Sequence, residues 1–161
     1  KTIRKPSAAM KVLVLLVVIC GAMAHLCLLS PLQRGTMNGI NTAGATDCLL
    51  TTGPCGGRQP HGYPPLAFKA GSNQTVIFQK NLDHYNKTTP GYFSISFGPA
   101  QIALKEFSRV PDRGEPSLYV YTVNVTIPKK PDPFHTIQVV YVTNNTAAPP
   151  MFYQCADFQI N

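Results

Sequence analysis

The second half of the chain repeatedly alternates apolar and polar positions, the period of a strand with one buried face. Tyr92-Phe-Ser-Ile-Ser-Phe97 alternates over six residues, and residues 118–127 (LYVYTVNVTI) alternate again. Residues 75–79 (TVIFQ) and 136–142 (TIQVVYV) are β-branched and aromatic runs, and residues 151–160 form a last strand-like segment. Turn chemistry separates them at Asn144-Asn145, Pro128 to Pro133 and Pro149-Pro150. Residues 99–110 (PAQIALKEFSRV) have no clean period and fit either a short helix or an irregular crossover. In the first half, residues 25–30 are apolar after His25, and Pro31 ends any helix before it can grow. Residues 34–65 are rich in Gly, Thr, Asn and Pro and read as a long loop. The pattern predicts an all-β chain, a small antiparallel β-sandwich of immunoglobulin-like or fibronectin-like layout with a long disulfide-tied N-terminal loop.

One apolar run has a different character. Lys11 follows Met10, residues 12–20 (VLVLLVVIC) are unbroken hydrophobes, and Gly21-Ala-Met-Ala24 supplies the small-x-small pattern read by signal peptidase. The run is too short to span a bilayer, so residues 10–24 read as a signal peptide, with cleavage after Ala24 and no transmembrane segment. Residues 1–9 precede the plausible start and are set aside. Residues 25–161 are then one domain's worth of chain.

That division changes the charge. The formal +7 includes Lys1, Arg4, Lys5 and Lys11, all before the cut; ten basic and seven acidic residues remain, or +3. Those ten are scattered, which excludes a nucleic-acid or anionic-membrane footprint. Cys20 leaves with the leader, and Cys27, Cys48, Cys55 and Cys155 imply two disulfides with three possible connectivities. Sequons at Asn73, Asn86, Asn124 and Asn144 agree with an extracellular glycoprotein. No CxxC, HExxH, P-loop or GxSxG motif is present.

Cleavage after Ala24 makes His25 the first residue. Its α-amine, with a reference pKa of about 7.7–8.0, and its Nδ1 can close one chelate ring on a metal ion. A second imidazole completes a three-nitrogen histidine brace, a donor set that favours Cu(II). His84, in the polar loop Asn81-Leu-Asp-His-Tyr-Asn86, is the best placed second imidazole. His61 is a weaker candidate, and His135 reads as structural. On a strand, Tyr153, Cys155 and Asp157 share one face and Phe152, Ala156 and Phe158 the other. Asp157 then needs a counter-ion, which a metal, Arg34 or Arg58 would supply equally well.

With these residues in place, the chain resembles the copper-binding proteins of the copper-acquisition-factor type, related in fold to lytic polysaccharide monooxygenases (LPMOs). His25 with Pro31 and Arg34-Gly35 resembles the family's opening His-x5-Pro-x2-Arg-Gly. Gly53-Pro-Cys-Gly-Gly57 resembles its PCGG turn, and Ile137-Gln-Val-Val140 followed by Tyr153-Gln-Cys-Ala-Asp157 its closing IQVV…YxCAD. The resemblance implies one copper per chain, held by the amine and imidazole of His25, by His84 and by Asp157. It also implies that Cys55 pairs with Cys155, leaving Cys27 with Cys48. Family members usually continue into a Ser-rich stalk and lipid anchor, whereas this sequence stops at Asn161; the expectation is an extracellular protein, freely secreted, or anchored at the cell surface if the chain continues beyond Asn161.

Three functions follow, in order. The first is a secreted Cu(II) protein that captures or transfers copper without redox catalysis, with a membrane copper transporter or another copper-handling protein as partner. The second is a copper-dependent LPMO. The third is a metal-free extracellular adhesion or ligand-binding module. Asp157 discriminates the first two: a carboxylate on copper stabilises Cu(II) and competes with O₂ for an open position, where monooxygenases usually place Tyr or Phe. The chain also has no tryptophan to stack on sugars, leaving Tyr63 and Tyr85 for that role.

Overall fold

The computed structural model describes residues 25–60, 62, 64 and 66–161. The leader, the upstream residues, His61 and Tyr63 lie outside the described residues. Eight strands follow in chain order: β1 (His25–Ser30), β2 (Ala67–Phe68), β3 (Asn73–Leu82), β4 (Tyr92–Pro99), β5 (Lys105–Pro111), β6 (Tyr119–Thr126), β7 (Asp132–Val142) and β8 (Met151–Ile160). They form a three-stranded sheet of order β1-β3-β6 and a five-stranded sheet of order β2-β8-β7-β4-β5. All pairings are antiparallel except the two-residue β2 with β8. The expected immunoglobulin-like β-sandwich is therefore the observed fold.

The core is where the inner faces meet. Leu26, Leu28, Val76, Phe78, Tyr121 and Val125 on the small sheet pack against Phe93, Ile95, Ile137, Val139, Tyr141, Phe152, Ala156 and Phe158 on the large one. The expected division of the last strand holds: Phe152, Ala156 and Phe158 point into the core, and Cys155 leaves by the other face.

Two segments differ from their sequence reading. Residues 105–111 are neither helix nor crossover but β5, an edge strand. Its outer positions include Lys105, Glu106 and a half-exposed Phe107, so burial does not impose an alternating pattern on it. β1 also lacks alternation, for the opposite reason. Leu26 and Leu28 enter the core while Cys27 packs with Ala45 and Cys48 under the long loop, so both faces are buried.

Between β1 and β2 the chain makes two single 3-10 turns, Thr46–Cys48 and Cys55–Gly57, each anchored by a disulfide. Cys27 joins Cys48, and Cys55 joins Cys155, the pairing the resemblance implied. Sequence separations of 21 and 100 residues give stabilisations of roughly 3 and about 4.7 kcal/mol in the chain-entropy treatment. Replacing Cys55 and Cys155 together by Ser is expected to lower the unfolding free energy by about 2–5 kcal/mol, and more than the Cys27/Cys48 double replacement. Paired urea titrations of the two variants check the order.

Candidate functional site

His25 opens β1 opposite Leu82, the last residue of β3, and His84 follows two residues later. At about 3.3 Å per residue the register brings both histidines to the same end of the small sheet. Both are buried, at 2% and 6% exposure. The long loop closes over His25 at Gly44, where a Cβ would stand 3.9 Å from the His25 Cε1. Gly44 has φ +88°, so a side chain there would be strained as well as crowding the ring. Asn81 fastens that loop: its Oδ1 accepts from the Gly44 and Ala45 amides, both at 2.9 Å, and its Nδ2 donates to the Ile40 and Thr42 carbonyls.

His84 is held from its other sides. Its ring stacks on Phe152, with centroids 6.4 Å apart and planes 12° from parallel. Its carbonyl accepts from Asn145 Nδ2 at 3.0 Å. The preceding Asp83 carboxylate meets the Lys80 ammonium at 2.5 Å and accepts from the Tyr85 amide at 2.8 Å, an Asx turn around the histidine. Lys80 is itself fully buried. Its Nζ lies 2.8 Å from Asp112 Oδ1, also fully buried, and donates to the Glu115 carbonyl at 2.7 Å. Asp112 Oδ2 accepts from the Tyr141 hydroxyl at 2.5 Å, and Glu115 accepts from the Tyr121 hydroxyl at 2.7 Å. Burial, reinforced by these carboxylates, pushes both tyrosine pKa values far above the phenol range, so both remain protonated donors.

Asp157 lies elsewhere. Its Oδ2 accepts from Arg34 Nε at 2.8 Å, and its Oδ1 accepts from Arg34 NH2 at 2.6 Å and Thr136 Oγ1 at 2.9 Å. This bidentate pair, with Arg34 2% exposed, supplies the counter-ion that the strand face required. On β8, Asp157 stands opposite Thr136, whereas Phe152 stands opposite Tyr141. Five residues of strand, about 17 Å, separate Asp157 from the residue that stacks on His84. The structure thus brings His25 and His84 to one end of the sandwich and seats Asp157 on Arg34 toward the other. The reason is register: a residue five positions along a strand faces the opposite side and lies half a strand-length away. Among the described residues, no three His, Cys, Asp or Glu side chains converge as a metal-ligand set.

His135 hydrogen-bonds Asp132 through Nδ1 at 2.9 Å, the structural role expected of it. Sequence reading did not single out Phe152, Tyr141, Lys80, Asp112 or Asn81. Phe152 was legible as an inward strand position. Nothing local marks Lys80 as buried: Asp83 is three residues on and half-exposed, and the other two partners, Asp112 and the Glu115 carbonyl, lie 32 and 35 residues away.

No protein-family model and no curated protein matches the chain. Solved structures do. An AA10 LPMO from Streptomyces lividans is 17% identical, with a TM-score of 0.54 over 84% of this chain and 99% of that one. The catalytic domain of an LPMO from Listeria monocytogenes is 15% identical, with a TM-score of 0.54 over 85% and 99%. A polysaccharide monooxygenase of the CBM33 class is 15% identical, with a TM-score of 0.52 over 85% and 100%. At these identities the likeness shows the fold: this chain has the β-sandwich of the LPMOs. Among the described residues no helix is long and apolar enough to cross a membrane.

Two expectations follow. Arg34→Ala strands the Asp157 carboxylate and is expected to cost about 3–5 kcal/mol in chemical unfolding, whereas replacing both partners by apolar residues costs less. Asp47, which ties the loop next to His25, has its carboxyl held below the usual range. The main cause is the Thr36 hydroxyl, opposed by burial and aided by the Asn38 amide and Arg58. A lowered folded pKa means that this tether stabilises the loop above about pH 3.8 and is lost as pH falls through the folded value. Exchange of the Asn38 amide, 2.6 Å from Asp47, is expected to accelerate as pH falls below 3.8, beyond the ordinary pH trend of exposed amides.

Proposed function

We propose that this chain is an exported protein that holds one Cu(II) ion at His25 and His84, with the α-amine of His25 as third nitrogen once the leader is removed. The observation that carries the reading is the β1–β3 register, which delivers two buried imidazoles to one end of an LPMO-like sandwich. The donor chemistry fits. A site made of two imidazoles and a main-chain amine needs only two ligating side chains, consistent with the lack of any three-side-chain cluster among the described residues. An all-nitrogen set suits Cu(II) at the top of the Irving–Williams order. Asp157 is not needed for this arrangement.

Copper capture or transfer, with a copper-handling protein as its recipient, is the role we assign first. One observation favours the second reading, oxidative polysaccharide cleavage. The group against the His84 ring is Phe152, and the carboxylate that would have argued for a redox-silent carrier is engaged by Arg34. Phenyl offers copper no electron pair, so Phe152 would not serve as a ligand beside His84.

The test is Cu(II) titration with EPR on protein beginning at His25, beside a form retaining Ala24 and a His84→Ala variant. One tight, nitrogen-rich tetragonal site is expected in the first. The other two lose affinity by more than the roughly 10–100-fold that outer-shell partners cost. Equal, weak binding in all three would sink the copper reading and leave a metal-free module. Ascorbate added to the loaded protein separates the roles: sustained peroxide production indicates turnover, and its lack indicates a carrier.

A further inference from the structure

Two of the four sequons lie directly across from one another. Asn73-Gln-Thr75 is on β3 and Asn124-Val-Thr126 on β6, and the register pairs Asn73 with Thr126 and Thr75 with Asn124. Each threonine hydroxyl donates to the other sequon's asparagine Oδ1 at 3.0 Å. All four side chains are exposed, and neither Nδ2 donates a hydrogen bond among the described residues. The two amide nitrogens therefore stand side by side on the outer face of the small sheet.

That face is covered unevenly. Toward His25 it lies under the long loop, which Asn81 fastens. Toward Asn73, nine residues or about 30 Å along β3, no such loop covers it. The adjoining edge has no protection of the usual kind. β6 is the edge strand of its sheet, eight residues long, and its sequence YVYTVNVT contains no charge and no proline. Tyr119 and Val120 on it are 43% and 44% exposed. A long, neutral, β-branched edge is a template for pairing with another chain.

We propose that Asn73 and Asn124 carry a pair of N-glycans that cover the open half of this face and keep β6 from pairing with a second copy of the chain. In the modification, each Nδ2 forms a bond to C1 of a sugar, the C1–O bond to a lipid pyrophosphate breaks, the amide loses one proton and the lipid pyrophosphate departs. The crossed hydrogen bonds occupy both threonine hydroxyls in the folded sheet, so the sugars are added before β3 and β6 pair. The proposal rests on export but not on copper, and the His25 end stays clear of both sugars.

The test begins with the full chain secreted from eukaryotic cells, its four sequons read by glycopeptide mass spectrometry. Sugar on both Asn73 and Asn124 is expected; a secreted chain with either one bare overturns the proposal. Residues 25–161 made bare in a bacterial periplasm, where disulfides form, are expected to lose monomer to dimers and aggregates on size exclusion. Thr122→Lys, a charge on the outer face of β6, should restore the monomer in the bare chain. An Asn86→Gln/Asn144→Gln variant from eukaryotic cells, keeping only the pair, should remain monomeric. A bare chain that is as monomeric as the glycosylated one, or one that Thr122→Lys does not rescue, overturns the edge role. Copper titration of the same samples reads the metal site independently.

Discussion

β1 is six residues long, and its hydrogen-bonded ladder to β3 is what ties the N-terminal segment to the sandwich. Leu26 and Leu28 close the core from that ladder, while Cys27 on the opposite face carries the disulfide that pulls in the long loop. His25 is placed by the same pairing, across from Leu82. A slip of one residue would turn Leu26 and Leu28 out of the core and Cys27 into it. The pairing shifts register between His25 and Leu26, so His25, the first of the described residues, is set by its own pairing with Leu82 at the end of that ladder.

The His84 side of the site depends on electrostatics rather than on a ladder. Its loop is anchored through Asp83 to Lys80, a buried cation that burial would destabilise without Asp112, Asp83 and the Glu115 carbonyl around it. Tyr141 completes this cluster through Asp112 and stacks on Phe93, 4.5 Å between centroids, so the polar network and the aromatic core share a side chain. Unequal partners converge here: β3 supplies Lys80, the β5–β6 connection supplies Asp112 and Glu115, and β7 supplies Tyr141. Such a cluster specifies one arrangement of these elements, since any other leaves a charge buried and unpaired.

What could be read from the sequence, and what could not, follows from the range over which each feature acts. β4, β6, β7 and β8 bury one face against a partner sheet or lie in its middle, and their own residues carry that pattern. β5 lies at an edge and β1 under a loop, so their burial is set by segments distant in the chain. The strand parity of Asp157 was legible, and with it the need for a counter-ion. Which counter-ion was not, because Arg34 lies 123 residues away and is brought there by Pro31, the turn after β1 and the Arg34 amide bonding the Cys155 carbonyl at 2.7 Å. The disulfide pairing came through resemblance alone, and only the structure shows that both bridges hold the same loop.

The location of Asp157 alters the physical basis for a carrier more than it alters the site. A carboxylate on the metal would stabilise the dicationic state directly. With Asp157 held by Arg34, the charges nearest the His84 turn are those of buried Lys80 and of Asp83, Asp112 and Glu115, one positive against three negative. The excess lies in the cluster that anchors the His84 turn, where Lys80 and Asp112 are fully buried while Asp83 and Glu115 reach solvent and are partly screened. Such a field favours a bound cation, and the more highly charged state over the less, without occupying a coordination position. Under the copper reading proposed above, such a field would let tight retention of oxidised copper coexist with an open coordination position. The balance between holding copper and cycling it depends on how strongly the cluster's field reaches the metal.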